Sequence, residues 1–218
     1  MPRFAANLTM MFNEVPFLDR FEAAAKAGFT AVEFLFPYEF PAKEVGDRLH
    51  RNGLTQALFN LPPGNWAAGE KGFAALPERF DDLKQSLVTA LPYAQATGVQ
   101  RLHLMAGIAE RSDRKAVEAF YKSVAYTAEF FAPHGLDVVI EPINPRNVPG
   151  YFLNNFNFAH DLIKELKILN LKLQFDIYHC QIIHGDVTMR LREMMPVIGH
   201  IQIASIPSRN EPDRKSVV

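Results

Sequence analysis

An α/β barrel of parallel strands and crossover helices is the fold that this sequence predicts, from three observations. Short apolar runs alternate with longer segments of helical periodicity about seven times along the 218 residues, which is typical of parallel strands joined by helices. Most runs are apolar at consecutive positions, as expected where both faces of a strand are buried. Polar side chains occur where several runs end. Together these features predict one domain, residues 1–218, of the (β/α)8 TIM barrel class.

Seven segments are predicted to be strands and six to be helices. The strands are residues 4–8, 31–36, 55–60, 101–106, 137–143, 172–177 and 200–205. The helices, which show a 3.6-residue period, are residues 16–27, 42–51, 80–97, 114–131, 156–166 and 188–195. A glycine follows four of the helices and precedes a strand, where a left-handed C-terminal cap suits this residue. These glycines are Gly28, Gly53, Gly98 and Gly135.

A doubly wound open sheet is the alternative arrangement for such alternating elements. No G-x-G-x-x-G motif follows the first strand, which disfavours the dinucleotide-binding form of that fold. In a barrel, the carboxyl ends of all strands converge on one mouth, so polar residues at strand ends would form a single site. The residues concerned are Asn7, Glu33, Asn60, His103, Glu141, Asp176 and Gln202.

The amino-acid composition limits the classes of partner and the cellular location that we expect for this protein. The chain has 23 Lys and Arg against 24 Asp and Glu, a formal net charge of −1, so it lacks the basic character that a nucleic-acid partner requires. The one cysteine, Cys180, cannot form an internal disulfide, which suits a reducing compartment and predicts a cytoplasmic location. The sequence shows no signal peptide and no long apolar segment, so we expect neither secretion nor membrane spanning.

Three polar residues interrupt apolar strands and predict a metal site. They are Glu141, Asp176 and Gln202. A carboxylate removed from water needs a cation or strong hydrogen-bond donors. A neighbouring backbone group or arginine could satisfy any one of them, but three in successive strands favour a shared ion. Oxygen ligands without a cysteine cluster predict a hard divalent cation, Mg²⁺ or Mn²⁺.

Several local strings together resemble the hydroxypyruvate isomerase family, which includes the 2-oxo-tetronate isomerases and belongs to the xylose-isomerase-like TIM barrels. The resemblance runs from residue 1 to about residue 213 without large gaps. The strings are AANL (5–8), AVEF (31–34), LFN (58–60) with PG (63–64), LMAG (104–107), IEPIN (140–144), DIYH (176–179) with Gln181, and HIQIA (200–204).

The resemblance implies a metal-dependent isomerase that interconverts a small hydroxy-aldehyde and hydroxy-ketone acid through an enediol, such as hydroxypyruvate and tartronate semialdehyde. Glu141 matches the family's metal-binding glutamate that also moves the proton. Asp176 and Gln202 match two further ligands. His179 matches a histidine that contacts substrate oxygen, and Arg209 matches a substrate-side arginine. A metal beside a carboxylate suits this chemistry, because the ion stabilises the developing negative oxygen while the carboxylate takes the proton.

Other polar residues are candidates for substrate binding, and each has a structural alternative. His103 could line the mouth or bond to a neighbouring loop, and Glu33 could hold an arginine or lysine in the barrel floor. His179 could be a packed residue, and Arg209 a solvated charge. Asn7 and Asn60, at the ends of their strands, complete the set.

The sequence departs from the family at its end. Family chains continue to an eighth strand that carries a second essential glutamate, whereas this one finishes with the unrelated segment 214–218. We therefore expect a barrel truncated after the seventh strand, with exposed strand edges that favour a homo-oligomer. Loss of that glutamate would weaken metal binding and remove half of a two-glutamate proton relay.

Three alternatives to the main interpretation stay open at this point. The first is a 2-oxo-tetronate isomerase, or another sugar isomerase or epimerase of the same barrel. The second is a non-catalytic truncated chain that binds a metal or a partner. The third, a DNA-repair endonuclease, would need a histidine-rich zinc cluster and a basic groove, which seven histidines and a balanced charge disfavour.

Overall fold

The computed structural model describes residues 3–212. The segment 214–218, in which the sequence leaves the family pattern, lies outside this part. Seven strands are β1 Ala6–Asn7, β2 Ala31–Glu33, β3 Thr55–Asn60, β4 Arg101–His103, β5 Asp137–Ile140, β6 Leu171–Asp176 and β7 Ile198–Gln202. Seven α-helices are α1 Arg20–Lys26, α2 Ala42–Arg51, α3 Phe80–Thr97, α4 Arg114–Phe131, α5 Phe156–Leu166, α6 Ile177–Ile183 and α7 Val187–Met194.

The seven strands form one parallel sheet in the order β1-β2-β3-β4-β5-β6-β7. Every neighbouring pair is parallel, as in Val138 beside Leu171. Glu33 of β2 is hydrogen-bonded to Gln202 of β7, although four strands separate these two in the order. A flat sheet could not bring them together, so the sheet curls as a barrel wall does. The predicted TIM-barrel-type fold with seven strands is therefore confirmed.

The hydrophobic core lies between the sheet and the helices. Strands β3 to β6 are buried on both faces, with Phe59, Val139, Leu173 and Phe175 almost fully enclosed. β7 is less covered, since Ile201 is 40% exposed. The consecutive apolar residues of the middle strands therefore reflect burial of both strand faces, as predicted.

Four of the six helix predictions are accurate at both ends. α2, α3, α4 and α5 have the predicted bounds. Gly98 ends α3 in the left-handed conformation, with φ of 66°, and the other three predicted glycines also have positive φ. The predicted helix at 16–27 is instead a 3-10 turn, Phe17–Asp19, followed by α1.

Strand ends and one helix differ from the predictions. All strands except β3 end one to three residues earlier than predicted, because an apolar run continues after pairing with the neighbouring strand stops. α6 was not predicted. It begins immediately after β6, where the Oδ1 atom of Asp176 accepts a hydrogen bond of 2.8 Å from the amide of Tyr178 and caps the helix. Within residues 3–212, no helix has the length and apolar character needed to cross a lipid bilayer.

Candidate metal and substrate site

Glu141 and Asp176 lie at the carboxyl ends of β5 and β6, as predicted from the apolar strands before them. They are only 5% and 2% exposed. Together with His179 they offer ligand atoms that all lie within 4.8 Å of one another. The sequence predicted Glu141, Asp176 and Gln202 as the ligand set. The structure places His179 beside the first two of these residues.

Burial and mutual repulsion disfavour ionisation of both carboxylates. Burial, followed by the charge of Asp176, raises the pKa of Glu141 well above its ordinary value. Burial also raises the pKa of Asp176, while the nearby Arg209 acts in the opposite direction. Glu141 is therefore the more proton-attracting of the two. A divalent cation between the two carboxyl groups would instead favour their ionised forms.

His179 is neutral and its proton position is fixed by its neighbours. Burial lowers its pKa to about 3. Its Nδ1 atom faces two donors of Asn144, the backbone amide at 3.3 Å and the side-chain amide nitrogen at 2.6 Å. Nδ1 must therefore accept, and the ring proton lies on Nε2. Nε2 stands 3.6 Å from Oδ2 of Asp176 and 3.9 Å from Oε1 of Glu141. This tautomer suits donation to a substrate oxygen better than coordination of a metal.

Arg209 follows β7 and reaches the same carboxylates. Its Nη2 atom is 3.1 Å from Oδ2 of Asp176 and 3.4 Å from Nε2 of His179. The backbone of Arg209 has φ of 58°, a left-handed conformation that turns the chain back toward the site. The ion pair with Asp176 offsets part of the cost of burying that carboxylate.

Glu33 organises a second polar group between β1, β2, β6 and β7. Its Oε1 atom accepts hydrogen bonds from Asn7 at 3.0 Å and from Gln202 at 2.6 Å. Its Oε2 atom lies 2.6 Å from Nε2 of His200. The Oε1 atom of Gln202 accepts a bond of 2.9 Å from Gln174. The alternative that Glu33 holds an arginine or lysine is not realised among residues 3–212, where its partners are Asn7, Gln202 and His200. The role of Gln202 as a third metal ligand stays a prediction.

His103 and Asn60 contribute buried polar atoms without partners among residues 3–212. Both ring nitrogens of His103 lack a hydrogen bond, as do Oδ1 of Asn60 and Oε1 of Glu141. Nδ1 of His103 lies 3.8 Å from Oε2 of Glu141, and burial lowers the pKa of this histidine to about 3. Unpaired buried polar atoms are rare in folded proteins unless a ligand, ion or water completes them. Together with the carboxylates, these atoms fit a site for a hard cation and an oxygen-rich substrate.

Sequence reasoning missed Gln174 and Asn144. Gln174 is 1% exposed inside β6, donates a hydrogen bond of 2.9 Å to Gln202, and acts to lower the pKa of Glu141 against the larger effect of burial. The signal was present, since an amide stands between Leu173 and Phe175. Asn144 lies in the segment IEPIN after β5. Its contact with His179 spans 35 positions, so it could be identified only from the folded structure.

Comparisons with known proteins agree with this architecture. The family model described as xylose isomerase-like TIM barrel matches residues 21–217. The 2-oxo-tetronate isomerase of Cupriavidus necator is 56% identical over 215 residues, 98% of this chain and 83% of the relative. The hydroxypyruvate isomerase of Escherichia coli is 39% identical over 214 residues, 97% of this chain and 83% of the relative.

Solved structures show the same fold. A protein described as an AP endonuclease, family 2, from Brucella melitensis is 50% identical and superposes with a TM-score of 0.95, over 98% of this chain and 83% of that one. The 3-keto-D-glucoside 4-epimerase of E. coli is 18% identical with a TM-score of 0.76, over 97% and 84%, and shows the fold alone. The chain therefore belongs to the xylose isomerase-like TIM barrel family, among hydroxypyruvate and 2-oxo-tetronate isomerases, and is an enzyme of the isomerase type.

Proposed function

We propose that this protein is a metal-dependent isomerase of small 2-oxo acids that carry a neighbouring hydroxyl group. The observation that carries the proposal is the buried cluster of Glu141, Asp176 and His179, which combines a proton acceptor with a neutral donor. The reaction moves a proton between adjacent carbons through an enediol, and the named activities of the relatives are of this kind.

Mg²⁺ or Mn²⁺ is the cofactor that the donor set fits. Glu141, Asp176 and Gln202 would hold the ion, which would supply positive charge to stabilise the oxygen that becomes negative during proton transfer. Glu141 takes the carbon-bound proton, because an adjacent ion would hold this buried carboxylate in the ionised form that accepts a proton. His179 donates its Nε2 proton to a substrate oxygen, and Arg209 orients Asp176 and favours its ionised form against the effect of burial.

The substrate is either 2-oxo-tetronate or hydroxypyruvate. Relatives named 2-oxo-tetronate isomerase are 56%, 45% and 41% identical to this chain, whereas the E. coli hydroxypyruvate isomerase is 39% identical. The higher identities favour the four-carbon acid, which we propose as the first substrate to assay. Hydroxypyruvate, which the sequence resemblance suggested first, is the second.

The test is isomerase activity of the purified chain with each acid, with and without added Mg²⁺ or Mn²⁺. Glu141→Gln should abolish turnover, and Asp176→Asn should weaken Mn²⁺ binding at least tenfold by calorimetry, since each removes an anionic ligand. Glu129→Gln, on the exposed face of α4, is the matched control. A folded chain that binds the metal but turns over neither acid would favour the non-catalytic alternative instead.

We propose a small molecule, not a nucleic acid, as the partner of this site. The described residues offer one cluster of three His, Cys, Asp or Glu ligands, with a single histidine, and the net charge is −1. A nuclease with several zinc ions would need more histidines and a basic groove. Cleavage of abasic duplex DNA by the purified protein would overturn this choice.

We also propose a cytoplasmic location, with no membrane partner. The single cysteine is buried and suits a reducing compartment.

We further propose that copies associate into a homo-oligomer. Ile201 and Ile203, at and after the end of β7, are 40% and 44% exposed, and exposed apolar side chains favour association. Light scattering at several concentrations is the measurement. A monomer at all concentrations would contradict this part of the proposal.

A further inference from the structure

The segment between β3 and α3, residues 61–79, is fastened to the chain that follows β4. Gly72 forms a bridge with Ala106, and the amide of Gly107 donates a hydrogen bond of 3.0 Å to the carbonyl of Lys71. The contact is so close that a Cβ at Gly72 would stand 2.3 Å from the carbonyl oxygen of Met105. Lys71 is thereby fixed beside the carboxyl end of β4, at the same mouth as Glu141.

Lys71 rests on an aromatic surface at this mouth. Its Nζ atom lies 3.5 Å from the centroid of the Trp66 ring. Trp66 in turn contacts Phe36, which follows β2, with ring centroids 5.0 Å apart. An ammonium group over an indole face is held by cation–π attraction and keeps its remaining N–H donors free. Trp66 is 43% exposed, so a ligand can reach the pair from solvent.

Lys71 has no carboxylate partner in the described part of the chain. The adjacent acid, Glu70, is bound to Arg79 at 2.5 Å and accepts a hydrogen bond of 2.5 Å from the amide of Asn65. The other cation near the site, Arg209, is paired with Asp176. None of the ion pairs within residues 3–212 includes Lys71.

The mouth therefore combines buried acids with one uncommitted ammonium group on its rim. Glu33, Glu141 and Asp176 supply no positive charge of their own, so the carboxylate of a 2-oxo acid needs a cationic side chain to bind it. We propose that Lys71, supported by Trp66, binds the substrate carboxylate and makes the enzyme select carboxylate-bearing substrates over neutral ketoses. This inference rests on the proposed isomerase function and names the residue that determines its substrate class.

The first test uses Trp66, the only tryptophan of the chain, as an internal reporter. Malonate, an unreactive dicarboxylate, should change the tryptophan emission in a saturable manner, and Lys71→Gln should weaken its apparent affinity about tenfold to a hundredfold, the usual effect of losing a charge-assisted hydrogen bond. Lys71→Arg should retain most of the affinity. Lys122→Gln is the matched control, because Lys122 likewise lies over an aromatic ring, that of Phe80, and joins helix α4 to helix α3.

The second test separates this inference from the proposed function. With active enzyme, Lys71→Gln should raise KM for the 2-oxo acid about tenfold to a hundredfold while leaving KM for a neutral ketose of the same length unchanged. Equal KM values for Lys71→Gln and the parent would overturn the inference and leave the isomerase intact. If neither acid is turned over, the malonate titration still decides: unchanged affinity in Lys71→Gln refutes the carboxylate site, and lost affinity supports it.

Discussion

Replacing Glu33 with alanine should destabilise the protein by about 3–5 kcal/mol, because it removes the shared hydrogen-bond partner of three side chains. Glu33 is 5% exposed and receives Asn7 at 3.0 Å, Gln202 at 2.6 Å and His200 at 2.6 Å. Its loss leaves three largely enclosed polar groups without their acceptor, each costing about 1–3 kcal/mol. Relief from burying the carboxylate, and water entering the vacated volume, offset part of the sum.

The conservative variant Glu33→Gln should cost only about 1–2 kcal/mol. Its amide oxygen can still accept from Asn7 and Gln202, and its amide nitrogen can donate to Nε2 of His200 if that ring moves its proton to Nδ1. The unfolding free energy is measured by urea denaturation followed by circular dichroism. Glu129→Ala, on an exposed surface, should change it by less than about 0.5 kcal/mol. A loss below about 1 kcal/mol for Glu33→Ala would mean that water already satisfies these donors, and would refute the reasoning.

Two further predictions concern the loop after β3 and the buried histidine. Gly72→Ala should lower the unfolding free energy by about 2–4 kcal/mol, because its Cβ would meet the Met105 carbonyl at 2.3 Å. Gly69→Ala, which has a similar φ but no atom within 4 Å, should lower it by about 1 kcal/mol. Equal urea midpoints for the two variants would contradict the clash. Because burial lowers the folded pKa of His103 to about 3, below its unfolded value of roughly 6.5, its contribution to stability falls as the pH drops through that window. The metal-free protein should therefore lose about 2 kcal/mol more than His103→Gln between pH 6.5 and 5, and identical losses would exclude His103 as the cause.

Local sequence patterns were sufficient for the strands and most helices. The bounds of β3 and of α2 through α5 follow from hydrophobic periodicity, and a glycine marks the end of α3. Strand ends were less predictable, since Leu104, Met105 and Ala106 are as apolar as the paired part of β4 but leave the sheet after His103. Apolar character reports burial, and burial continues where pairing stops.

The site was predictable where one residue disturbs an apolar strand. Glu141 and Asp176 were identified for this reason, and the structure places them together. Contacts set by the curl of the sheet could not be predicted, because the pair of Glu33 and His200 spans 167 positions. Gln174 was overlooked for a different reason, since a single amide in a strand does not reveal whether it faces the barrel interior.

The direct passage from β6 into α6 limits how Asp176 can serve an ion. One of its oxygens, Oδ1, is occupied by the amide of Tyr178 at the helix cap, which leaves Oδ2 to face His179 and Arg209. A cation at this position would thus receive a single oxygen from Asp176, not a chelating pair. Monodentate carboxylates suit the compact octahedral shell of Mg²⁺ or Mn²⁺, whereas Ca²⁺ commonly takes both oxygens of a carboxylate in a larger shell. For the ion proposed above, the hydrogen bond that starts α6 would therefore favour a compact cation over calcium.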